Sequence, residues 1–174
     1  LHGRGGFGPK LLAAQWKDLC QRFDLILVAP KAADPARWQP LESALIPKLL
    51  AAVQSKYTVD TSRIVVHGYE SGGELAYLCG FRDRETFAAV AAVEAPLRML
   101  MGAALPESDP EHRLAFYCAR ADKSSASGPI RTTIDKLRKL QYPVTVKNLG
   151  PAPRYLDAGE LGELARWIDM LDRI

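Results

Sequence analysis

Residues 63–73, R-I-V-V-H-G-Y-E-S-G-G, decide how the rest of the chain is read. A β-branched run stops at Gly68, turns through Tyr69, Glu70 and Ser71, and enters a helix start at Gly72 and Gly73. A strand that turns sharply into a helix between close glycines exposes the residue at the tip of the turn at the top of the sheet. In the pattern G-x-S-x-G that tip is a nucleophilic serine. Between Gly68 and Gly72 the same place holds Glu70, and the nearest hydroxyl, Ser71, stands one residue late. The stretch keeps the frame of a nucleophile elbow and replaces the nucleophile. A carboxylate at the tip has two readings. It can be an acidic nucleophile, whose ester intermediate still needs a base to activate water. Alternatively it is an anion held by helix-start N–H groups or a nearby cation.

Upstream, residues 1–9, L-H-G-R-G-G-F-G-P, form a glycine-rich loop in which backbone N–H groups can approach an anion or a developing oxyanion. His2, Gly3, Arg4 and Gly5 are its candidate binding residues. Leu12, Trp16, Leu19, Cys20 and Phe23 recur at helical spacing over residues 10–23. Residues 24–30, D-L-I-L-V-A-P, are a continuous apolar run closed by proline, the pattern of a parallel strand buried on both faces. Residues 31–40 read as a loop with an exposed Trp38, which either lines a pocket or packs. Leu45, Leu49, Ala52 and Val53 mark a second helix with Pro47 near its start.

Downstream of the elbow, a helix from Ser71 ends around residues 80–83, and F-A-A-V-A-A-V at 87–93 is a further interior strand leading to Glu94. Residues 98–112 are irregular. Residues 114–118 form a strand, 119–128 a loop holding Asp122, and Pro129 opens a helix with Ile130, Ile134 and Leu137 on one face. Residues 142–146 form the last strand. Asp157 and Glu160 are spaced as a capping box for a final helix striped by Leu161, Leu164, Ala165, Ile168 and Leu171. Strands alternating with helices throughout predict an α/β fold: a three-layer αβα sandwich around a mostly parallel sheet.

At 174 residues the chain fits one domain spanning 1–174. Its net charge of +3 comes from 23 basic and 20 acidic residues scattered along the sequence, so no basic stripe suits nucleic acid. No apolar run approaches the roughly 20 residues of a membrane span. The three cysteines, Cys20, Cys79 and Cys118, are widely spaced among apolar residues and read as buried thiols rather than a disulfide framework or a metal site. Cytoplasmic and exported locations are both compatible with that pattern. A start at leucine inside a motif leads to the expectation that the chain is the carboxyl-terminal piece of a longer protein, whose other domains would be its partners.

These residues carry a resemblance. His2-Gly3 in the oxyanion-loop position, Val59-Asp60 and Arg63-Ile64 leading into Gly68-Tyr69-Glu70-Ser71-Gly72-Gly73, the Asp122 loop and the terminal helix through Leu164-Ala165-Arg166-Trp167-Ile168 make the chain similar to the α/β-hydrolase superfamily. The likeness is to its esterase, phospholipase/carboxylesterase and prolyl-oligopeptidase-like branch. It implies that the first strands of that fold precede Leu1. A looser likeness is to esterase-like modules at the carboxyl end of multidomain bacterial proteins, some with a trypsin-like protease.

The superfamily catalyses with a nucleophile, an acid and a histidine in that order along the chain. Asp122 matches the acid. Glu70 replaces the nucleophile, and Ser71 sits where the backbone N–H, not the side chain, serves the oxyanion hole. Where the histidine should precede the last helix the sequence reads G-P-A-P-R-Y-L at 150–156, placing Pro153 or Arg154 there. Arginine stays protonated and cannot act as a base. His67 and His112 are poorly placed to substitute. The expectation is a catalytically degenerate hydrolase-like domain that binds a small-molecule or peptide ligand, or holds its parent together. The alternative is an active esterase or peptidase with an unorthodox site. Glu70 is expected to pair with Arg154 or, failing that, Arg4. Tyr69 and Glu94 complete the candidate binding residues. Glu70, Glu94 and Asp122 could also converge on a hard cation, although no metal or cofactor is expected.

Overall fold

Among the described residues four strands pair into a single sheet. The computed structural model describes residues 1–5, 8–100 and 102–173; Gly6 and Phe7 of the glycine-rich loop lie outside them. The strands are β1 (Val65–Tyr69), β2 (Ala89–Val93), β3 (Ala115–Arg120) and β4 (Val144–Asn148), all parallel and in the order β1-β2-β3-β4. Val66 stands opposite Val90, Val90 opposite Phe116 and Phe116 opposite Val144, so one row of side chains runs across the whole sheet.

Five α-helices among the described residues accompany it: α1 (Pro9–Arg22), α2 (Leu45–Gln54), α3 (Ser71–Arg82), α4 (Ser127–Lys139) and α5 (Ala158–Asp169). Side-chain alternation along the strands divides the core in two. Val90, Ala92, Phe116 and Cys118 point to the face packed by Leu75, Leu78, Ile130, Ile134 and Leu137 of α3 and α4. Ala91, Val93, Tyr117 and Ala119 point to the face packed by Trp16 of α1 and Leu161, Leu164 and Ile168 of α5. This is the expected αβα sandwich. Burying a large aliphatic side chain of this kind is worth about 1.5–3 kcal/mol, and β2, buried at every position, is its centre.

Two local expectations change. Residues 24–30 do not join the sheet: Ile26, Leu27 and Val28 are 50%, 40% and 43% exposed, and no backbone bond ties them to β1. The apolar run lacks a neighbouring strand on which to pair. Trp38 is 1% exposed, not a surface residue, because its indole packs 5.1 Å from the His2 ring and its Nε1–H donates to the His2 carbonyl at 2.9 Å. Elsewhere Pro47 falls in the first turn of α2, and the Asp157–Glu160 capping box forms on α5. Cys79 and Cys118 are buried, while Cys20 is only partly so.

Candidate functional site at the elbow

The carboxyl ends of β1, β2 and β3 carry Glu70, Glu94 and the Asp122 loop to one edge of the sheet. Glu70 adopts φ 49°, ψ −120°, a backbone conformation sparsely populated for a residue with a side chain, and sits as the cap residue directly before α3. Its amide donates to the Val93 carbonyl at 2.9 Å and its carbonyl accepts the Glu74 amide at 3.0 Å, so the bent tip is tied on both sides. The flanking glycines are required by close approach: a Cβ on Gly68 would run into the Gly72 backbone, and one on Gly72 into the Leu1 and His2 carbonyls. The strained strand-to-helix turn therefore forms with a glutamate at its tip.

The Glu70 carboxylate turns back onto the glycine-rich loop. Its Oε2 accepts the Arg4 backbone N–H at 3.0 Å and lies against Gly3, where a Cβ would collide with it. Burial above all, then the charges of Glu70 and Glu94 and a hydrogen bond to Glu70, pushes the Tyr69 phenol up to about 12. His2 shapes this loop. Its Nε2 accepts the Ala32 N–H at 3.0 Å, which leaves Nδ1 to donate to the Gly3 carbonyl at 2.8 Å. Ser71 Oγ accepts the Trp38 N–H at 3.4 Å, so this hydroxyl holds the 31–40 loop.

The expected Glu70–Arg154 pair does not form. Arg154 reaches the opposite way and grips Glu160 with two bonds, Nη1 to Oε2 at 2.6 Å and Nη2 to Oε1 at 2.9 Å. Glu160 also accepts the Asp157 N–H at 2.9 Å, so the arginine is drawn to the carboxylate already fixed by the capping box. The bond from Arg154 holds the Glu160 carboxyl below its ordinary range. Nor does Arg4 supply an ion pair; it contributes only its backbone. Replacing Arg154 with alanine is expected to cost about 1 kcal/mol in urea unfolding, discounted because the side chain is 40% exposed. No effect on α5 stability would show that the bidentate pair is incidental.

The three acids stay apart. Asp122 is exposed and accepts the Asn148 side-chain amide at 3.0 and 3.2 Å, with Arg120 at 3.5 Å. Glu94, 4% exposed and at φ 51°, spends Oε1 on the Ala121 N–H and so staples the end of β2 to that of β3. Among the described residues no group of three or more His, Cys, Asp and Glu is placed to hold a metal ion.

Two features escaped the sequence. The Arg4 N–H reaches the Glu70 carboxylate, a contact implied by no side-chain pattern. His67 Nε2 meets the Tyr155 hydroxyl at 2.7 Å while Nδ1 contacts the Ala91 carbonyl at 2.9 Å. Burial pushes the imidazole down to about 3. Nδ1–H donates to the carbonyl and Nε2 accepts from the phenol, so both nitrogens are committed away from Glu70. His112 lies exposed beside Asp109, before β3.

No family model and no curated protein matches the chain. Solved structures do. Esterase PE8 superposes with a TM-score of 0.72 at 16% identity, over 98% of this chain and 89% of that one. The Bacillus cereus carboxylesterase gives 0.67 at 18%, over 98% and 86%. Arabidopsis thaliana SOBER1 gives 0.65 at 13%, over 99% and 96%. Parallel sheet, double helical cover, strained elbow and these superpositions agree: the chain has the α/β-hydrolase fold of the esterase and phospholipase/carboxylesterase type.

Proposed function

We propose that the chain is an esterase-type α/β-hydrolase domain that no longer performs serine-hydrolase turnover and serves a larger protein as a binding or structural module. The observation that carries this is the Glu70 carboxylate on the Arg4 N–H. A reacting ester needs the donors of this loop for its developing oxyanion, and an anion of the chain's own already takes one. A hydroxyl nucleophile at the tip and a base beside it are both replaced. Arg154 remains protonated, and Ser71 is bonded to the Trp38 amide.

A second reading is an active esterase or peptidase with an unorthodox site, and the esterases among the structural matches favour it. In that reading Glu70 attacks as a carboxylate and another group activates water to clear the ester. Short-chain nitrophenyl esters and a fluorophosphonate probe separate the two. The expected result is no labelling of the wild type, and ester hydrolysis no greater than the residual, roughly 10³–10⁴-fold over water, that hydrolase scaffolds retain without a triad. Glu70→Ser is expected to remain unlabelled, since a serine there finds no histidine. Stoichiometric labelling or saturable turnover by the wild type would overturn the degenerate reading.

A further inference from the structure

Residues 31–40 bridge the glycine-rich loop and the elbow, held by single hydrogen bonds rather than by a ladder. The Pro35 carbonyl accepts the Gly5 amide at 2.9 Å, the Trp38 amide donates to Ser71 Oγ at 3.4 Å, and the Trp38 indole donates to the His2 carbonyl at 2.9 Å. At the near end the Ala32 amide donates to His2 Nε2 at 3.0 Å and the Ala33 amide to Glu42 Oε1 at 2.8 Å. We propose that this segment is a strap latched on the neutral form of His2, and that protonation of His2 in mild acid releases it from the elbow.

The latch works in one direction. The Ala32 N–H needs a lone pair on Nε2, and the Gly3 carbonyl, 2.8 Å from Nδ1, takes the one proton of the neutral ring. A second proton can go only to Nε2. There it removes the acceptor and points a ring N–H at a peptide N–H, so that two donors face each other. The closed strap therefore binds one proton fewer than the open strap, and closure strengthens as pH rises and weakens as pH falls. Histidine is the side chain whose charge ordinarily changes between about pH 5 and 8. Because His2 is only partly buried, the imidazolium reaches water once the latch gives.

Release at Ala32 reaches the site through His2 itself. The ring packs 5.1 Å from the Trp38 indole, and the next two residues, Gly3 and Arg4, lie against the Glu70 carboxylate. The charged and titratable groups around the latch are the Leu1 amine and Arg4 on its own loop, Lys31 and Asp34 on the strap, and Glu42 in the 3₁₀ turn Pro40–Ala44. His67 on β1 and Glu70 at the elbow complete them. Burial holds His67 down at about 3, so it stays neutral throughout. The Leu1 amine, drawn down to about 6 by burial, titrates in the same range as the latch and has to be separated from it. Control of the elbow in this way rests on its being a binding site, as proposed above. The strap is read from its own amides and turnover from ester assays, so either can fail without the other.

Hydrogen exchange at the Ala32 and Gly5 amides, followed by NMR from about pH 8 to pH 5 and corrected for the intrinsic pH dependence of exchange, measures opening of the strap. Opening is expected to increase toward acid by up to about tenfold per pH unit, the limit for one proton. Cys118 and Ala119 in β3 should not change, and the increase should follow the titration of the His2 ring nitrogens. In His2→Gln a side-chain carbonyl can accept from Ala32 without titrating, while Leu1, Glu42 and the other groups stay in place, and the increase is expected to vanish. The proposal is overturned if opening is flat over the range, if it follows a different midpoint from the His2 ring, or if the increase survives in His2→Gln, which would assign it to the Leu1 amine or to Glu42. Should His2→Gln fail to fold, coincidence of ring titration and amide opening in the wild type decides alone.

Discussion

Gly68→Ala is expected to lose about 3–5 kcal/mol of stability, at or beyond the upper end of ordinary overpacking because the clash is with backbone. The added Cβ would overlap the Gly72 carbonyl group and the Gly73 nitrogen, all backbone atoms in the first turn of α3. No rotamer change can relieve that contact, because neither partner has a side chain to move. Strand β1 cannot recede either, since Gly68 stands opposite Ala92 in the ladder to the buried β2. Against the 5–15 kcal/mol that stabilises a typical domain, such a loss leaves a substantial unfolded population near body temperature. Gly72→Ala is the informative comparison. Its Cβ meets the Leu1 and His2 carbonyls, which are tied to the Tyr69 amide and the Trp38 indole rather than lying within a helix, and a loss of about 2–3 kcal/mol is expected. Urea denaturation of the two variants measures both. If Gly68→Ala falls within 1 kcal/mol of the wild type, the elbow is not held by close packing of strand on helix, and the account of its glycines fails.

That tight turn explains why so much of the fold was legible. Glycines at 68, 72 and 73 are demanded by backbone contact, so the sequence must show them whether or not the site still reacts. The interior strand at 87–93 and the capping box at 157–160 were equally readable, because full burial and helix-start hydrogen bonding each restrict residue type. The run at 24–30 was read as an interior strand on the same grounds, and its composition does suit that place. Pairing depends on a neighbour, and composition cannot report whether one is present. The site was less legible for a related reason. That glutamate stands at the tip of the turn is visible in the letters, but its partner is a backbone N–H, which every residue except proline possesses. Charge alone cannot choose a partner for Arg154: Glu160, six residues away and already oriented by α5, wins over Glu70.

Trp38→Ala is expected to cost about 3–5 kcal/mol, the range for truncating a buried aromatic, and to loosen the glycine-rich loop along with it. The indole is almost fully enclosed and bridges two segments that meet nowhere in a regular ladder. Its ring packs on His2, its Nε1–H holds the His2 carbonyl, and its own backbone N–H is anchored on Ser71 Oγ. Removing it frees His2, and with His2 the adjacent Gly3 and Arg4 that contact Glu70. Trp38→Phe keeps most of the apolar contact and loses the indole donor, leaving the His2 carbonyl unpaired for about 1–2 kcal/mol. The two variants separate packing from hydrogen bonding. Hydrogen exchange at the Arg4 amide gives a second, local readout: it should rise in Trp38→Ala well beyond what the fall in global stability accounts for, because the loop that carries the donor has lost its support. Equal losses in the two variants, or an Arg4 amide that exchanges no faster than global unfolding requires, would show that the loop keeps its place on Glu70 without the tryptophan. In that case the carboxylate, rather than the aromatic beside it, organises the site.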